Sequence, residues 1–580
     1  MALVTTFLTG LRKYVLSQDV YALRNWLKIE PTSAGTIYFE LAQELKTGLP
    51  RKGDALISLV DKCLPEEDDV PEGKGSPWPG LNSFMKEYLE YWRDTDFNDM
   101  VSSYQHLSSL LNACANAFAN PTYGMMMLQT AVSISESLSR VIMTINRQPT
   151  LLAKIQNEMS TEEGMEKKSI VELAADLIQK MFTSCLTDRT SGRYARPQGK
   201  KTAVYTFANI TLKLLFACGK SRIAVQMLTN LAAQGPALSL FPASQRVTFL
   251  YYLGRFNFDH CDYFRAHMCL QEAYRQCRPE FTSHRRRILT YWIPSNLMLA
   301  RFPGPALLQR PEAEDFADIY LPLCNAARTG NFVTFQHAMQ RARPYLWARG
   351  LYLHLTNLKP LVWRSFTRRI FRLTWTMPHD DAADAAASAM GATAPTAAPT
   401  LDFHHVVAAA LYVQKLLEGW VPAKPPARRG PPPPHVSSVF IKAVTNSSDG
   451  TGGGGGDGAQ LVPPPGGPRK LKPAEGLIYG TLKPTADKVE GILASLVYAG
   501  LLNGYVARAQ QKLGVEGARR FGGDAVRAGW PVPHESIVAR LREDHEDMVR
   551  RYEAGETPDH PGRFEDVPGW VGDNTVTTWG

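Results

Sequence analysis

The sequence predicts a mainly α-helical protein: a right-handed superhelix of helical repeats followed by a C-terminal winged helix with a small β hairpin. Three observations carry this. From Leu81 to Trp375 apolar residues recur at helical spacing, with short Gly or Pro punctuation and no convincing alternation of period two. Inside that span, small and large apolar residues alternate in the manner of stacked helix pairs. Near the end, one amphipathic helical stretch is followed by two short strand-like runs.

The elements follow in order. Residues 1–64 read as short amphipathic N-terminal helices, such as "LRKYVLSQDVYALRNWL". Residues 65–80, "PEEDDVPEGKGSPWPG", are acidic and rich in Pro and Gly, which marks a loop. A helical region covers 81–157, and a polar break covers 158–168. Helical repeats fill 169–345. A winged-helix module is expected over 346–515. It is interrupted at 378–400, which is Ala-rich, and at 421–475, which contains "PARRGPPPPH", "GTGGGGGDG" and "PPPGGPRK". Such compositions supply no apolar face to bury, so both segments read as disordered insertions. The tail, 531–580, holds one charged helical stretch, "ESIVARLREDHEDMVRRYEAG", and then a disordered end.

The repeat signature is clearest in "HCDYFRAHMCLQEAYRQC", residues 260–277. Tyr263, Ala266, Leu270 and Ala273 have the spacing of the second helix of a tetratricopeptide-like repeat. Small residues let a neighbouring helix approach, and large ones fill the gaps. Weaker copies occur at Ala224, Leu228 and Leu231, and at Phe335, Ala338 and Ala342. The same stretch bunches Cys261, Cys269, Cys277, His260 and His267. On a helix a step of eight residues climbs about 12 Å, so three such sulfurs cannot meet one ion at zinc distance. The cysteines are expected to be packed or half-packed helix residues, and no metal or cofactor is expected.

Composition bounds the class. Hydrophobic residues make up 44% of the 580, enough for a large core. Eight cysteines without a CxxC pair suit a reducing compartment. Charges interrupt every apolar run before the roughly 18 residues a membrane span needs, so no membrane partner is expected. Catalytic motifs are absent. "CGKSR" at 218–222 ends like a phosphate loop, but Leu214 stands where the first Gly is needed. "GGGGGDG" at 452–458 has no strand before it or helix after it. "HESIV" and "HEDMV" lack the second His of a zinc protease motif. Neither an enzyme nor a small-molecule substrate is expected.

Net charge is +9, and its distribution is the informative part. In "LVWRSFTRRIFRLTW", Arg364, Arg368 and Arg372 are spaced i, i+4, i+8 beside Arg369, with Leu361, Phe366, Ile370 and Leu373 on the other side. Like charges at i,i+4 destabilise an isolated helix by about 0.2–0.5 kcal/mol per pair. The stripe is a solvated face, a partner for acids elsewhere in the fold, or a phosphate contact. Arg285, Arg286 and Arg287 form a second cluster at a helix start, where cations oppose the dipole; an acidic protein suits it as well as nucleic acid. In "KPTADKVEGILASLVYAGLLNGYVARAQQKLGVEG", Thr485 is the expected N-cap. Val489, Ile492, Leu493, Leu496 and Val497 make one apolar stripe, and Gly500 ends the helix. "LLNGYVAR" and "QKLGVE" then make the wing. Lys483, Lys488, Arg508, Lys512, Arg519 and Arg520 would lie on this helix, the wing and its exit. Winged helices place such a helix in a groove or serve protein contacts alone.

Helical repeats feeding a winged helix resemble the PCI family of the proteasome lid, the signalosome and a translation initiation factor. The match tightens in "QRVTFLYYLGRFNFDHCDYFRAHMCLQEAYRQC", in the basic "R-x-I-L-x-Y-x-x-P" helix of "HRRRILTYWIPSNLMLARFPGPALL", and in "DKVEGILASLVYAGLLNGYVARAQQKLGV". These resemble the export-complex subgroup. Its members are the Thp/PCID subunit of the TREX type-two mRNA export complex and the twelfth signalosome-associated subunit. The resemblance covers about 240–515 and skips the two insertions. It implies a non-catalytic adaptor, nuclear at or near the pore, with the cytoplasm as a second compartment. It also implies a Sac/GANP-type scaffold partner, a small acidic Sem/Dss subunit, and RNA or DNA on the winged helix. Nucleic-acid contacts are expected from Arg364, Arg368, Arg369 and Arg372 and from Lys488, Arg508 and Lys512. Lys483, Arg519, Arg520, Arg285, Arg286 and Arg287 are further candidates. An arm carrying Arg428, Arg429, Arg469, Lys470 and Lys472 adds to the basic set. Binding is expected to be backbone-directed, since no exposed aromatics interleave these charges. The alternative is a structural subunit of a signalosome-like assembly whose basic stripe meets acidic protein.

Overall fold

The computed structural model describes residues 2–49, 55–64, 78–158, 168–375, 399–422, 461–521, 523–541 and 543. They divide into two compact units. One lies within Met1–Phe256 and Glu272–Cys277, the other within Asn257–Gln271 and Arg278–Pro558. No helix among the described residues is long and apolar enough to cross a membrane.

The first unit opens with α1 (Ala2–Leu16), α2 (Val20–Trp26), α3 (Thr36–Gly48) and α4 (Ala55–Cys63). It continues with α5 (Pro79–Asp94), α6 (Met100–Ala119), α7 (Leu128–Ile145), α8 (Pro149–Glu158), α9 (Ile170–Leu186), α10 (Val204–Ala217) and α11 (Ala224–Gln234). Local chemistry sets several starts. Asp19, Asp99 and Ser169 each accept a hydrogen bond from a backbone N–H of the first turn of α2, α6 and α9. Gly80 brings α5 close to α6, since a methyl there would lie 2.8 Å from Ala117 Cα. Trp78 Nε1 donates to the Ala117 carbonyl across the same contact at 2.9 Å. An aromatic cluster closes the N-terminal end: Phe7 stacks on Trp26 and Tyr88. The Tyr88 and Tyr91 hydroxyls donate to the carbonyls of Lys28 and Ile29, both at 2.7 Å.

α12 (Ala243–Asp259) and α13 (Tyr263–Gln276) follow. Of the expected repeat residues, Ala266, Leu270 and Ala273 on α13 and Ala224, Leu228 and Leu231 earlier in the chain are buried, while Tyr263 is half-buried. The 260–277 stretch departs from a single packing helix at its start. His260 and Cys261 form a turn, with Cys261 exposed in the left-handed region at φ +62°. Asp262 then starts a new helix, its carboxylate accepting from the Arg265 N–H at 3.0 Å. Cys269 and Cys277 are buried, as expected.

The second unit continues with α14 (Thr282–Met298), α15 (Pro305–Leu308), α16 (Phe316–Thr329), α17 (Phe332–Ala348), α18 (Tyr352–Thr356) and α19 (Lys359–Thr374). The winged helix follows as β1 (Thr400–Asp402), α20 (Phe403–Leu417), α21 (Ala486–Tyr498), β4 (Gly504–Ala507) and β5 (Lys512–Val515), with α22 (Ala525–Gly529) behind it. Between α20 and α21, β2 (Val421–Pro422) pairs with β3 (Leu461–Val462). The main sheet has the order β1-β5-β4, antiparallel throughout. Residues 533–541 are helical. The expected fold class, helical repeats leading into a winged helix with a small hairpin, is the observed one.

The two expected insertions are shorter than their composition suggests. Residues 378–398 and 423–460 lie outside the described residues, but their flanks are folded. The Pro399 carbonyl accepts from the Val515 N–H at 2.8 Å, and Thr400 belongs to β1. Residues 461–475, expected to be disordered, form β3 and a strap. Leu471 and Glu475 are buried there, as is Leu477 just beyond. Glu475 accepts from Gln340 at 3.0 Å, Arg469 at 2.6 Å and the Lys472 N–H at 3.1 Å. Burial raises its pKa, but those hydrogen bonds outweigh it and hold the carboxyl below its usual range. Proline and glycine set the turns, and three anchoring side chains suffice to dock them.

Two predictions follow from these contacts. Gly330 ends α16 at φ +72°, and a Cβ there would lie 2.4 Å from the Phe366 nitrogen on α19. Gly330→Ala should therefore cost upwards of about 2 kcal/mol, combining left-handed strain with forced separation of two helices. Gly350 has the same φ and nothing within 4 Å. Gly350→Ala should cost only about 1–2 kcal/mol of strain. Denaturant melts of the two variants check the difference.

The second concerns His267, which is buried, takes a hydrogen bond from Trp292 Nε1 on Nδ1 at 3.0 Å, and faces Arg301 on Nε2 at 3.1 Å. Burial, then the charges of Arg301 and His534, depress its pKa to about 3. The unfolded residue takes up a proton near pH 6.5; the folded one does not. Stability should thus be lost as pH falls from about 6.5 towards 3, by at most about 1.4 kcal/mol per pH unit. Urea melts at several pH values, compared with His267→Gln, should show that slope reduced.

Candidate nucleic-acid interface

The site is built on α19, whose two halves differ. Every residue from Leu361 to Thr367 is buried, and only beyond that does the helix become two-faced. Ile370 and Phe371 point inward, while Arg368, Arg369 and Arg372 are exposed. Leu373, expected on the apolar side, is half exposed.

Arg364 therefore does not belong to the exposed stripe. It is 8% exposed. Its Nη2 donates to the Trp530 and Pro531 carbonyls at 3.1 and 2.5 Å. Burial and the neighbouring Arg368 charge bring its pKa down to about 10. Trp530 completes the lock: its Nε1 donates to Thr367 Oγ1 at 3.2 Å, and its ring packs 4.8 Å from that of Phe371. A guanidinium committed to two carbonyls in the interior cannot contact a phosphate.

On the winged helix, Thr485 stands at the N-cap of α21, but its side chain makes no capping hydrogen bond. Val489, Leu493 and Leu496 are buried, Ile492 and Val497 half-buried. Gly500, at φ +69°, takes the left-handed conformation past the helix end. Lys483 is exposed and Lys488 half-buried, with Lys488 Nζ donating to the Lys483 carbonyl at 3.4 Å. Arg508 is exposed and lies 3.6 Å from Glu490, and Lys512 lies 3.4 Å from Asp402. Both wing cations thus have an acidic neighbour in reach. Arg520 is exposed, and the Arg519 side chain lies outside the described residues.

The remaining candidates separate. Arg285 pairs with the buried Glu312 at 3.3 Å. Arg286 donates to the Glu314 carbonyl at 2.6 Å, pairs with Asp315 at 3.2 Å and covers the Phe316 ring. Only Arg287 of that cluster is exposed. Arg469 is held by Glu475, Lys470 and Lys472 are exposed, and Arg428 and Arg429 lie outside the described residues.

One signal in the composition was passed over. Between Asp318 and Asp380 the chain has no acidic residue and nine basic ones: Arg328, Arg341, Arg343, Arg349, Lys359, Arg364, Arg368, Arg369 and Arg372. None of the nine makes an ion pair among the described residues. A second omission is aromatic. Tyr479, Tyr498 and Tyr505 are exposed on the winged-helix module, contrary to the expectation of charges without aromatics. Strand alternation was the available signal for Tyr505, since Val506 and Leu513 face inward.

The burial of Arg364 gives a prediction. Arg364→Met should destabilise the fold by about 2–4 kcal/mol, because the buried Trp530 carbonyl and the part-buried Pro531 carbonyl lose their donor. Arg368→Met should stay within about 0.5 kcal/mol. Thermal and denaturant melts of the two variants check this.

Comparison with known proteins agrees with the architecture. The chain is 31% identical over 201 residues to a protein named Protein CSN12 homolog from Gibberella zeae, covering 33% of this chain and 43% of that one. It is 29% identical over 237 residues to the Protein CSN12 homolog of Schizosaccharomyces pombe, covering 40% and 53%. It is 27% identical over 212 residues to the PCI domain-containing protein 2 homolog of Drosophila melanogaster, covering 36% and 51%. No family model matches. The chain spans about half the length of the curated relatives it matches. Helical repeats ending in a winged helix, together with the likeness to these relatives, support a PCI-domain family for the chain.

Proposed function

We propose that the chain is a non-catalytic subunit of a nuclear mRNA export complex, acting as an adaptor at or near the pore. Its repeats and winged helix bind a Sac/GANP-type scaffold and a small acidic Sem/Dss subunit. The exposed basic face of the winged-helix module binds RNA or DNA. The observation that carries the nucleic-acid part is the end of α19: Arg368, Arg369 and Arg372 are exposed together and have no carboxylate partner among the described residues. An uncompensated cluster on a folded surface is repulsive by itself, and phosphate relieves it. The likeness to proteins named for a PCI domain supports the subunit role.

The wing contributes less than spacing suggested, because Arg508 and Lys512 have acidic neighbours. Binding by the three arginines should be salt-sensitive and tolerant of sequence. Neutralising three phosphates gives a slope of log K against log salt of about −2 on a single strand and nearer −3 on a duplex.

The test is Arg368→Glu, Arg369→Glu and Arg372→Glu combined, leaving Arg364 in place. Nucleic-acid affinity should be lost for every sequence, while co-purification of protein partners from native extract persists. Unchanged affinity would place nucleic-acid binding elsewhere. Loss of partners with affinity intact would make the stripe a protein interface, and the chain a structural subunit of a signalosome-like assembly.

A further inference from the structure

The outward face of the wing sheet has an unusual composition. Directly opposed residues in an antiparallel sheet share a face. Tyr505 opposes Gly514, which opposes Thr400; Ala507 opposes Lys512, which opposes Asp402. The other face is core: Leu401 and Leu513 are buried. Tyr505 is thus the one large apolar side chain of the outer face, set among Gly, Ala and Thr.

Its ring lies across Gly514. A Cβ built on Gly514 would be 2.6 Å from Tyr505 Cζ and 2.8 Å from Cε1, so any other residue there would push the ring aside. An aromatic covering a cross-strand glycine supports a hairpin. That role occupies one side of the ring, and the side chain remains 50% exposed. One cation stands beside it: Lys512 lies diagonally across the sheet on the same face. An exposed aromatic surface beside a cation fits a nucleobase next to its phosphate. It does not fit a duplex, whose bases are already stacked on one another.

We propose that Tyr505, seated on Gly514, is a stacking platform for one base of a single-stranded nucleic acid, with Lys512 on an adjacent phosphate. The inference rests on the nucleic-acid reading above and narrows it to single strands. Lys512 exchanges its acidic neighbour, Asp402, for phosphate when the strand binds.

The full chain is titrated with a 12-nucleotide RNA and with the matching duplex, by fluorescence anisotropy. Tyr505→Leu should weaken single-strand binding by about tenfold, within the range measured for base–aromatic stacking, and leave duplex binding within about twofold. Tyr505→Phe should restore the single-strand affinity. A strand carrying 2-aminopurine gives a readout that needs no variant: its fluorescence should be quenched on binding the unaltered chain. Equal loss on both ligands, no loss on either, or a base that is bound but not quenched would overturn the platform and leave backbone binding standing. If the unaltered chain binds neither ligand, the nucleic-acid reading falls, and the platform with it.

Discussion

The winged-helix module depends on one buried cation. Arg364 reaches from the core of α19 to the Trp530 and Pro531 carbonyls, joining residues more than 160 positions apart in sequence. Burying a guanidinium is costly unless its donors are used. Here the cost is partly offset by the two carbonyls that accept from Nη2, although Nε has no partner among the described residues, and by Trp530 packing on Phe371 and bonding Thr367. The segment behind the wing is thereby fastened to the helix in front of it. The Asn503 N–H donates to the Gly529 carbonyl at 3.0 Å, extending the same fastening to the hairpin. The exposed arginines lie one turn and more further along α19, so the orientation of the basic face follows from this internal lock.

A second layer of support comes from the 461–482 strap. Glu475 gathers Arg469, Gln340 and a backbone N–H, while Lys359 and Trp363 donate to the carbonyls of Gly476 and Leu477. These bonds tie α17 and α19 to the chain entering α21. Polar anchors of this kind specify register more strongly than apolar ones, because a shifted strap leaves a buried carboxylate unpaired.

Much of this was legible from spacing. The small residues Ala266 and Ala273 marked a packing helix, and the run from Thr485 to Val515 marked a helix and a hairpin. Depth within the fold was not legible. The i, i+4, i+8 spacing of Arg364, Arg368 and Arg372 gives azimuth on a helix, while α19 changes from fully enclosed to two-faced along its length. Whether Arg364 faces water is decided by Trp530, far away in sequence. Composition failed for a related reason at 461–475: the many Pro and Gly residues outweighed Leu471 and Glu475, although two or three anchors hold such a segment. The platform residue Tyr505 was read as an ordinary strand residue, since its neighbour across the sheet, Gly514, becomes its neighbour only once the register is known.

The short ribbon of β2 and β3 has a consequence for how such a module can diversify. Val421 pairs with Val462 and Pro422 with Leu461, so the chain leaves the module and re-enters it at adjacent points. Anything between them is a closed excursion whose ends are already fixed by the fold. Closure entropy grows only logarithmically, about 0.6 kcal/mol for each doubling of length. Length at this point is therefore nearly neutral for the module, and sequence drift, duplication or acquisition of a whole foreign domain can proceed there without disturbing the helices that enclose it.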